Sequence, residues 1–284
     1  MAGAGAAQES LTIDAHGVSL AGEQAGEGTP IVLLHGLSAT RRYVVMGSRA
    51  LQRSGHRVIA YDARGHGASA PAPDPSAYGY EQLADDLEAA LDALQIERAV
   101  LAGASMGAHT ALHLALTRPQ RVAALALITP SFDPSLPRDE QELVRWDALA
   151  RGLREDGVEG FVRAYELDAV PEAWRETVEK VLRQRLGAHE HPLAVANALE
   201  AVPRSRPFQT LAELAGVRAP SVVVASRDEA DPGHPLAVAE RYAQTIPGAR
   251  LIVEDAGPPA RSPIAWQGGQ LSRVIAELAE LAQI

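Results

Sequence analysis

No cysteine occurs among the 284 residues, which at once excludes disulfides, thiolate metal sites and a cysteine nucleophile. Aromatic residues are scarce, 4% of the chain against 46% hydrophobic overall, so the core has to be assembled largely from Ala, Val and Leu. Basic runs are missing too. Nothing exceeds pairs such as Arg41-Arg42, and the net charge is −10, so no nucleic-acid-binding surface is expected. No stretch approaches the roughly 18 apolar residues of a membrane helix. Residues 1–9, rich in Ala and Gly, lack a basic start followed by a long apolar stretch. They read as a frayed terminus and not as a signal peptide, and the expected location is the cytoplasm, with no membrane partner. The length suits a single large domain with a well-buried core.

The most informative stretch present is Ala99-Val100-Leu101-Ala102-Gly103-Ala104-Ser105-Met106-Gly107-Ala108-His109. A short apolar run ends in Gly-x-Ser-x-Gly and passes into a helix-like segment, a pattern that reads as strand, sharp turn and helix with Ser105 at the turn. Glycine at 103 and 107 is what such a turn needs, because a side chain at either place collides with the neighbouring strand or helix. Ser105 is then exposed at the sheet edge and at a helix N-terminus, where the amides, Met106 N–H foremost, face negative charge developing on a bound carbonyl oxygen. This is the geometry of an acyl-transfer nucleophile.

Two further segments set the context. Pro30-Ile31-Val32-Leu33-Leu34-His35-Gly36-Leu37 is an apolar strand ending in His-Gly, and Asp62-Ala63-Arg64-Gly65-His66-Gly67-Ala68-Ser69 follows the run Arg57-Val58-Ile59-Ala60-Tyr61. In order and spacing the three segments resemble the α/β-hydrolase family, from about residue 11 to the C-terminus. The resemblance implies an α/β fold: a mostly parallel central sheet with helices on both faces and an inserted helical cap. The core falls at 1–129 and 216–284 and the cap at 130–215. It implies that Leu37, the residue after His-Gly, gives a backbone N–H to the oxyanion, and that His35 holds a structural place beside that hole. The catalytic acid belongs at the end of the apolar run 220–228. Asp228 is the first candidate and Asp231 the second, because the loop 229–235 is longer than usual.

The periodicities agree with that plan. Residues 11–28 suggest a pair of antiparallel edge strands with the glycines between 22 and 28 supplying turns, and 38–54 suggests a helix broken near Gly47. Leu83, Leu87, Leu91 and Leu94 form one buried helical stripe within 80–94. Helix 106–117, stopped at Pro119, and strand 122–128 follow, an alternation that a parallel sheet with covering helices requires. From about 130 the rhythm changes to helices alone, at 139–155, 158–167, 171–186 and 192–201. Trp146, Phe161, Tyr165 and Trp174 are there to line a substrate pocket or to fill the cap's own core. Asp62 and His66 are expected to be structural, and His189, Glu190 and His191 to form a solvated turn. Arg41 and Arg42 are open either to meeting a substrate carboxylate or to lying on a solvated face. Strand 250–254 closes the sheet.

One element of the family's pattern is absent. The triad in this family runs Ser, Asp or Glu, His along the chain, with the histidine in a Gly-His turn after the last strand; here Pro258 follows Gly257. Of the nine histidines (16, 35, 56, 66, 109, 113, 189, 191 and 234) none lies beyond 234. Three accounts remain. His234 reaches the vacant place from the neighbouring acid loop; or His109 or a cap residue serves as the base; or the chemistry is non-hydrolytic, with ligand binding or an elimination, cyclisation or isomerisation in which the hole steadies an enolate. The leading expectation is a serine-dependent, esterase-like hydrolase of a small acyl ester or related carbonyl substrate. Ser105, Asp228 and His234 are its catalytic residues and Leu37 and Met106 its oxyanion donors. No cofactor and no metal are implied, since nothing resembles a nucleotide loop or a metal site.

Overall fold

The computed structural model describes residues 8–136, 140–227, 233–254 and 266–282. Its centre is a sheet of eight strands: β1 (Glu9–Ala15), β2 (Val18–Ala25), β3 (Thr29–Leu34), β4 (His56–Tyr61), β5 (Ala99–Ala104), β6 (Val122–Ile128), β7 (Ser221–Ala225) and β8 (Arg250–Val253). They lie in the order β1-β2-β4-β3-β5-β6-β7-β8. The β1–β2 and β2–β4 pairs are antiparallel and the remaining pairs parallel. The strands β5 and β6 are apolar along their whole length, and β7 is apolar after Ser221, because both faces are covered. On one face Val32, Leu34, Leu101, Leu125 and Val223 pack under α2 (Tyr80–Ala93), α3 (Met106–Thr117) and α7 (Leu236–Thr245). Alternate residues, among them Ile31, Val100, Ala124, Ala126 and Val222, meet α8 (Gly268–Leu281) and the single turn α1 (Ala50–Arg53) on the other. The alanines let helices approach closely, which is how a core poor in aromatics stays dense. Among the described residues no helix is long and apolar enough to cross a membrane.

Between β6 and β7 the described residues form no strand; the main elements are α4 (Glu140–Ala164), α5 (Glu172–Leu186) and α6 (Pro192–Arg204). The boundary expected between 155 and 158 is a kink inside α4, where Gly157 has φ 58°. It lets the helix fold past itself at Gly152 and Gly160, where a Cβ on Gly152 meets the Gly160 carbonyl oxygen at 2.4 Å. Phe161 is buried in the core of this insertion, with Trp146 and Tyr165 packed against it, while Trp174 is only partly covered.

Four local expectations are corrected. The β1–β2 turn is not made by the glycines at 22–28: it is at His16 and Gly17, both at positive φ (55° and 83°), with Gly17 N–H donating to Asp14 Oδ1 at 2.8 Å. Gly22 is inside β2, while Gly26 and Gly28 turn the chain into β3. Residues 38–54 form no long helix, only a 3₁₀ turn at Arg41–Tyr43 and α1. Arg41 is not on a solvated face, as the exposed Arg42 is; it pairs with Asp62 and with Glu23 at 3.3 Å. Nor is His189 in a solvated turn. It is buried, and its Nδ1 accepts Gly67 N–H at 2.8 Å while Glu190 N–H donates to the Gly67 carbonyl at 2.8 Å, so the insertion is stitched to the turn after β4.

That turn has a buried polar frame, as Asp62 and His66 were expected to provide. Asp62 Oδ1 accepts Arg41 N–H at 2.8 Å, its backbone carbonyl accepts Ser69 Oγ–H at 2.6 Å, and Ser69 Oγ accepts Ala21 N–H at 2.9 Å. Arg64 forks onto Asp86 of α2 through Nε (2.7 Å) and Nη2 (2.6 Å), both side chains being buried. A bidentate pair with its remaining donor on the Ala77 carbonyl at 2.8 Å satisfies a charge that is otherwise expensive to bury.

Three buried imidazoles serve as neutral connectors. His35 Nε2 accepts Ala63 N–H at 2.9 Å, His109 Nε2 accepts Ser131 and Phe132 N–H at 3.2 Å each, and His189 Nδ1 accepts Gly67 N–H. A ring nitrogen that accepts an amide carries no proton. Burial is accordingly the largest cause pushing His35 well below its ordinary range, and it brings His109 and His189 to about 3.

Two tests follow from this packing. A Cβ on Gly107 falls 2.1 Å from the Leu34 carbonyl oxygen, so Gly107→Ala should cost about 1–3 kcal/mol or more, read as a lower denaturant midpoint at unchanged m-value; an unchanged midpoint contradicts the packing. The second concerns pH. The unfolded chain protonates its histidines below about pH 6.5, whereas the folded chain keeps His109 and His189 neutral until near pH 3. Proton uptake therefore favours unfolding between those limits, and stability falls as pH drops from 7 to 5.5, by up to about 1.4 kcal/mol per pH unit for each such ring. His189→Gln removes one titrating ring and should flatten the slope of Tm against pH over that interval; an unaltered slope refutes neutral burial of His189.

Candidate active site

Ser105 occupies the turn between β5 and α3, with φ 51° and ψ −112°. A non-glycine residue rarely takes such values, and the surroundings impose them. A Cβ on Gly103 meets the Gly107 carbonyl carbon and oxygen at 2.2 Å, and Gly107 is pressed against the end of β3, so the chain reverses within the space of one side chain. Ser105 N–H donates to the Ile128 carbonyl at 2.9 Å, and its own carbonyl takes His109 N–H at 3.1 Å, the first bond of α3. The N–H groups of Met106, Gly107 and Ala108 therefore head the helix without intrahelical acceptors, and the helix dipole is positive there.

Facing this turn is the loop after β3. Gly36 approaches closely, its Cβ position being 3.6 Å from Ser105 Cβ. The Gly36 carbonyl accepts His35 Nδ1–H at 2.8 Å and Ala39 N–H at 3.0 Å. In a trans peptide the N–H points opposite to the carbonyl, so anchoring Gly36 O directs Leu37 N–H away from those two partners. His66 Nε2–H holds the Leu37 carbonyl at 2.6 Å. Leu37 and Met106 are both buried in the apolar cluster shared with the helical insertion, which keeps water from the region where their amides lie. Sequence reasoning gave His35 its structural place; it did not find His189, which extends the same polar frame into the insertion through Gly67 and, at 3.4 Å, the Ser38 carbonyl.

The decisive contact involves His234. Its Nε2 and Ser105 Oγ are 2.9 Å apart and hydrogen-bonded across 129 residues of sequence. His234 stands two residues before α7, on the connection that leaves β7. The geometry thus brings together Ser105 and the histidine that the sequence singles out on the acid loop. Asp228 and Asp231, the two acid candidates, and Pro258, in the place of the usual histidine, lie outside the described residues. His109, the alternative base, is turned away: its Nε2 is taken by two backbone amides and its Nδ1 faces Tyr80 Oη at 3.2 Å.

The loop after β6 completes the surroundings, and no sequence signal marked it. Thr129 has φ 45°, and Asp133, its side chain fully buried, accepts Ser135 N–H at 2.8 Å and Arg241 Nη1 at 2.6 Å. Burial works to raise the Asp133 carboxyl, but the bonds from Ser135 and Arg241 prevail and hold it below the ordinary carboxylate range. It is thereby committed to α7 and Ser135.

Comparison with known proteins agrees with this fold. A family model described as alpha/beta hydrolase fold matches residues 29–260. The chain is 32% identical over 205 residues to a Variovorax paradoxus protein named "Putative carbamate hydrolase RutD", covering 72% of this chain and 75% of that one. Among solved structures it is similar to a thermophilic esterase from Thermogutta terrifontis, with 27% identity, TM-score 0.75, and 97% of this chain and 100% of that one covered. It is also similar to a hydrolase from Pseudomonas aeruginosa, with 26% identity, TM-score 0.71 and both chains covered completely. With its strand order, its serine turn and a family match over most of its length, this chain belongs to the α/β-hydrolase family of enzymes.

Proposed function

We propose that this protein is a serine-dependent hydrolase of small acyl esters or closely related carbonyl compounds, and that its general base comes from the β7–α7 connection. The single observation that carries this reading is the 2.9 Å contact between His234 Nε2 and Ser105 Oγ, inside the range a base needs to take a hydroxyl proton. Ser105 Oγ attacks the carbonyl carbon as its proton passes to His234 Nε2. The tetrahedral oxyanion is met by the N–H groups of Leu37 and Met106, donors already oriented before substrate arrives. Collapse expels the alkoxide, which takes the proton from the imidazolium and leaves an acyl-Ser105 ester. Water then repeats the sequence with His234 again as base, releasing the acid and regenerating Ser105.

Asp228 is assigned the carboxylate that orients His234 and offsets the charge it gains. Base and acid then stand six residues apart on one connection, in place of the usual pair of loops. The insertion of residues 130–215 is assigned the role of a cap, since its apolar side packs onto Leu37, Met106, Tyr80 and Leu83 around the serine turn. An apolar wall of this kind suits a small uncharged acyl group. The name of the Variovorax paradoxus relative adds carbamates, whose carbonyl presents the same electrophile, to the substrates to be tried.

Hydrolysis of p-nitrophenyl acetate and of a p-nitrophenyl carbamate by the purified protein is the direct test, alongside Ser105→Ala and His234→Ala. Both substitutions should lower kcat by about 10⁴-fold or more on whichever substrate is turned over, as loss of a nucleophile or its base does in serine hydrolases. If His234→Ala retains kcat within about threefold, the base lies elsewhere and the reading fails. If the parent protein does no better than Ser105→Ala on every acyl substrate tried, the chemistry is not acyl transfer through this serine.

A further inference from the structure

Holding a histidine of the β7–α7 connection against Ser105 requires that α7 be fixed relative to α3. These two helices belong to different parts of the chain, and the fixation runs through the loop after β6. Tyr242 Oη, in the second turn of α7, donates to the Phe132 carbonyl at 2.6 Å, and the neighbouring Arg241 reaches the buried Asp133 carboxylate. The loop is held in turn from the other side. Both Ser131 N–H and Phe132 N–H converge on a single acceptor, Nε2 of His109, in the first turn of α3. The Phe132 peptide is thus bonded at its N–H by α3 and at its carbonyl by α7.

The contacts close a circuit. His109 N–H donates to the Ser105 carbonyl, His109 Nε2 takes the Phe132 amide, Tyr242 takes the Phe132 carbonyl, and α7 leads back through two residues to His234, which bonds Ser105 Oγ. The His109 ring also packs edge-on to Tyr80, Phe132 and Tyr242 at centroid distances of 5.7, 6.3 and 6.4 Å, so the imidazole has no room to turn over. Its other nitrogen is spent on Tyr80 Oη. A neutral imidazole is well matched to this place. It offers one lone pair to two amides and one N–H to the tyrosine, and it brings no positive charge near His234, which must itself become cationic during turnover.

We propose that His109 is the positioning residue for the Ser105–His234 pair: by accepting the Ser131 and Phe132 amides it fixes the loop on which α7, and with it His234, is held in register with the nucleophile. The inference rests on the reading of His234 as the base. His109 touches neither reacting atom and acts only through this loop. Because displacement of a catalytic group by about 1 Å costs on the order of a hundredfold in rate, even a partial release of the circuit is expected to show in kcat before it shows in binding.

The experiment compares His109→Phe, His109→Gln, Tyr242→Phe and the double variant His109→Phe/Tyr242→Phe with the parent and with His234→Ala. Each is measured for kcat and KM on whichever of p-nitrophenyl acetate and the p-nitrophenyl carbamate the parent turns over, and for the rate at which a fluorophosphonate labels Ser105. His109→Phe and Tyr242→Phe should each lower kcat and the labelling rate by about tenfold to a hundredfold with KM within about threefold. The double variant should be no slower than the slower single one, because both act through the Phe132 peptide. His109→Gln, which keeps an acceptor, should retain more activity than His109→Phe. Tyr242→Phe loses only a hydroxyl and so provides a folded variant even where His109→Phe does not fold. If Tyr242→Phe, and His109→Phe where it folds, keep kcat and labelling within twofold while Tm drops, the residues are structural only and the proposal is overturned. If His234→Ala itself remains active, the failure belongs to the reading of the base and not to His109.

Discussion

Everything in the site hangs from the contact of three backbones that have no room for a side chain. Gly103 at the end of β5 lies against Gly107 in the first turn of α3, and Gly107 lies against the carbonyl of Leu34 at the end of β3. Strand, helix and neighbouring strand are fused there at van der Waals distance, and Ser105, caught between the two glycines, is driven to φ 51°. The same contact decides where the loop after β3 goes. Leu34 is the last residue of β3, so His35, Gly36 and Leu37 must leave the sheet directly beside the serine. One steric constraint therefore places Ser105, the helix amides and the Leu37 segment together, and the rest of the fold has to supply only what faces them.

What faces them is held largely by buried histidines; His35 and His189 act as uncharged connectors, while both ring nitrogens of His66 face carbonyls, of Arg64 and Leu37. A serine or asparagine reaches one turn away; an imidazole spans farther and offers an acceptor and a donor at opposite edges of a rigid ring. His35 joins the β3 loop to the chain after β4, His66 joins the β4 turn to Leu37, and His189 joins the helical insertion to Gly67. Their rings lie within 5.2 and 5.5 Å of one another in sequence order, so the arrangement is tolerable only while the three do not all carry charge. Accepting backbone amides enforces neutrality at His35 and His189, and burial reinforces it. The cost is a sensitivity of the fold to acid that a frame built from amides would not have.

How much of this was legible in the sequence differs from segment to segment for physical reasons. Strand β6 and helix α3 were found to the residue because continuous burial and a tight turn leave strong local marks, and the serine turn was recognisable because its glycines are obligatory. Residues 38–54 suggested a helix, and they form only single turns, because their geometry is dictated from outside: Arg41 by Asp62 and Ser38 by His189, contacts 21 and 151 residues away. The first hairpin turn was misplaced among the glycines at 22–28, since His16 accepts a positive φ that its residue type does not advertise. Residue spacing reports neighbours along a helix or strand, and a partner 122 residues distant, as Gly67 is to His189, leaves no trace in it. The Ser105–His234 contact was legible only as one of three accounts. With Pro258 in the usual place and no histidine beyond 234, His234 on the adjacent connection stood beside His109 or a cap residue, and beside a chemistry without a base.

Strand order explains why that connection is a workable source. In the sheet, β7 is two strands from β5 and β8 is three, so with strands about 4.8 Å apart the chain leaving β7 starts nearer the serine turn by one spacing. His234 comes nine residues after Ala225, the end of β7, ample length to cover a separation of about 10 Å. Reach is therefore not the difficulty; register is. A histidine beyond β8 is held by a strand that belongs to the sheet itself, whereas one on the β7–α7 connection inherits the position of a surface helix. The chain meets that requirement by anchoring α7 at Tyr242 and Arg241 to the loop after β6, and that loop to α3. The first turn of the helix that begins at Ser105 thereby also bears on where His234 stands, so that Ser105 and His234 are referred to one rigid element although the sequence separates them by almost half the chain.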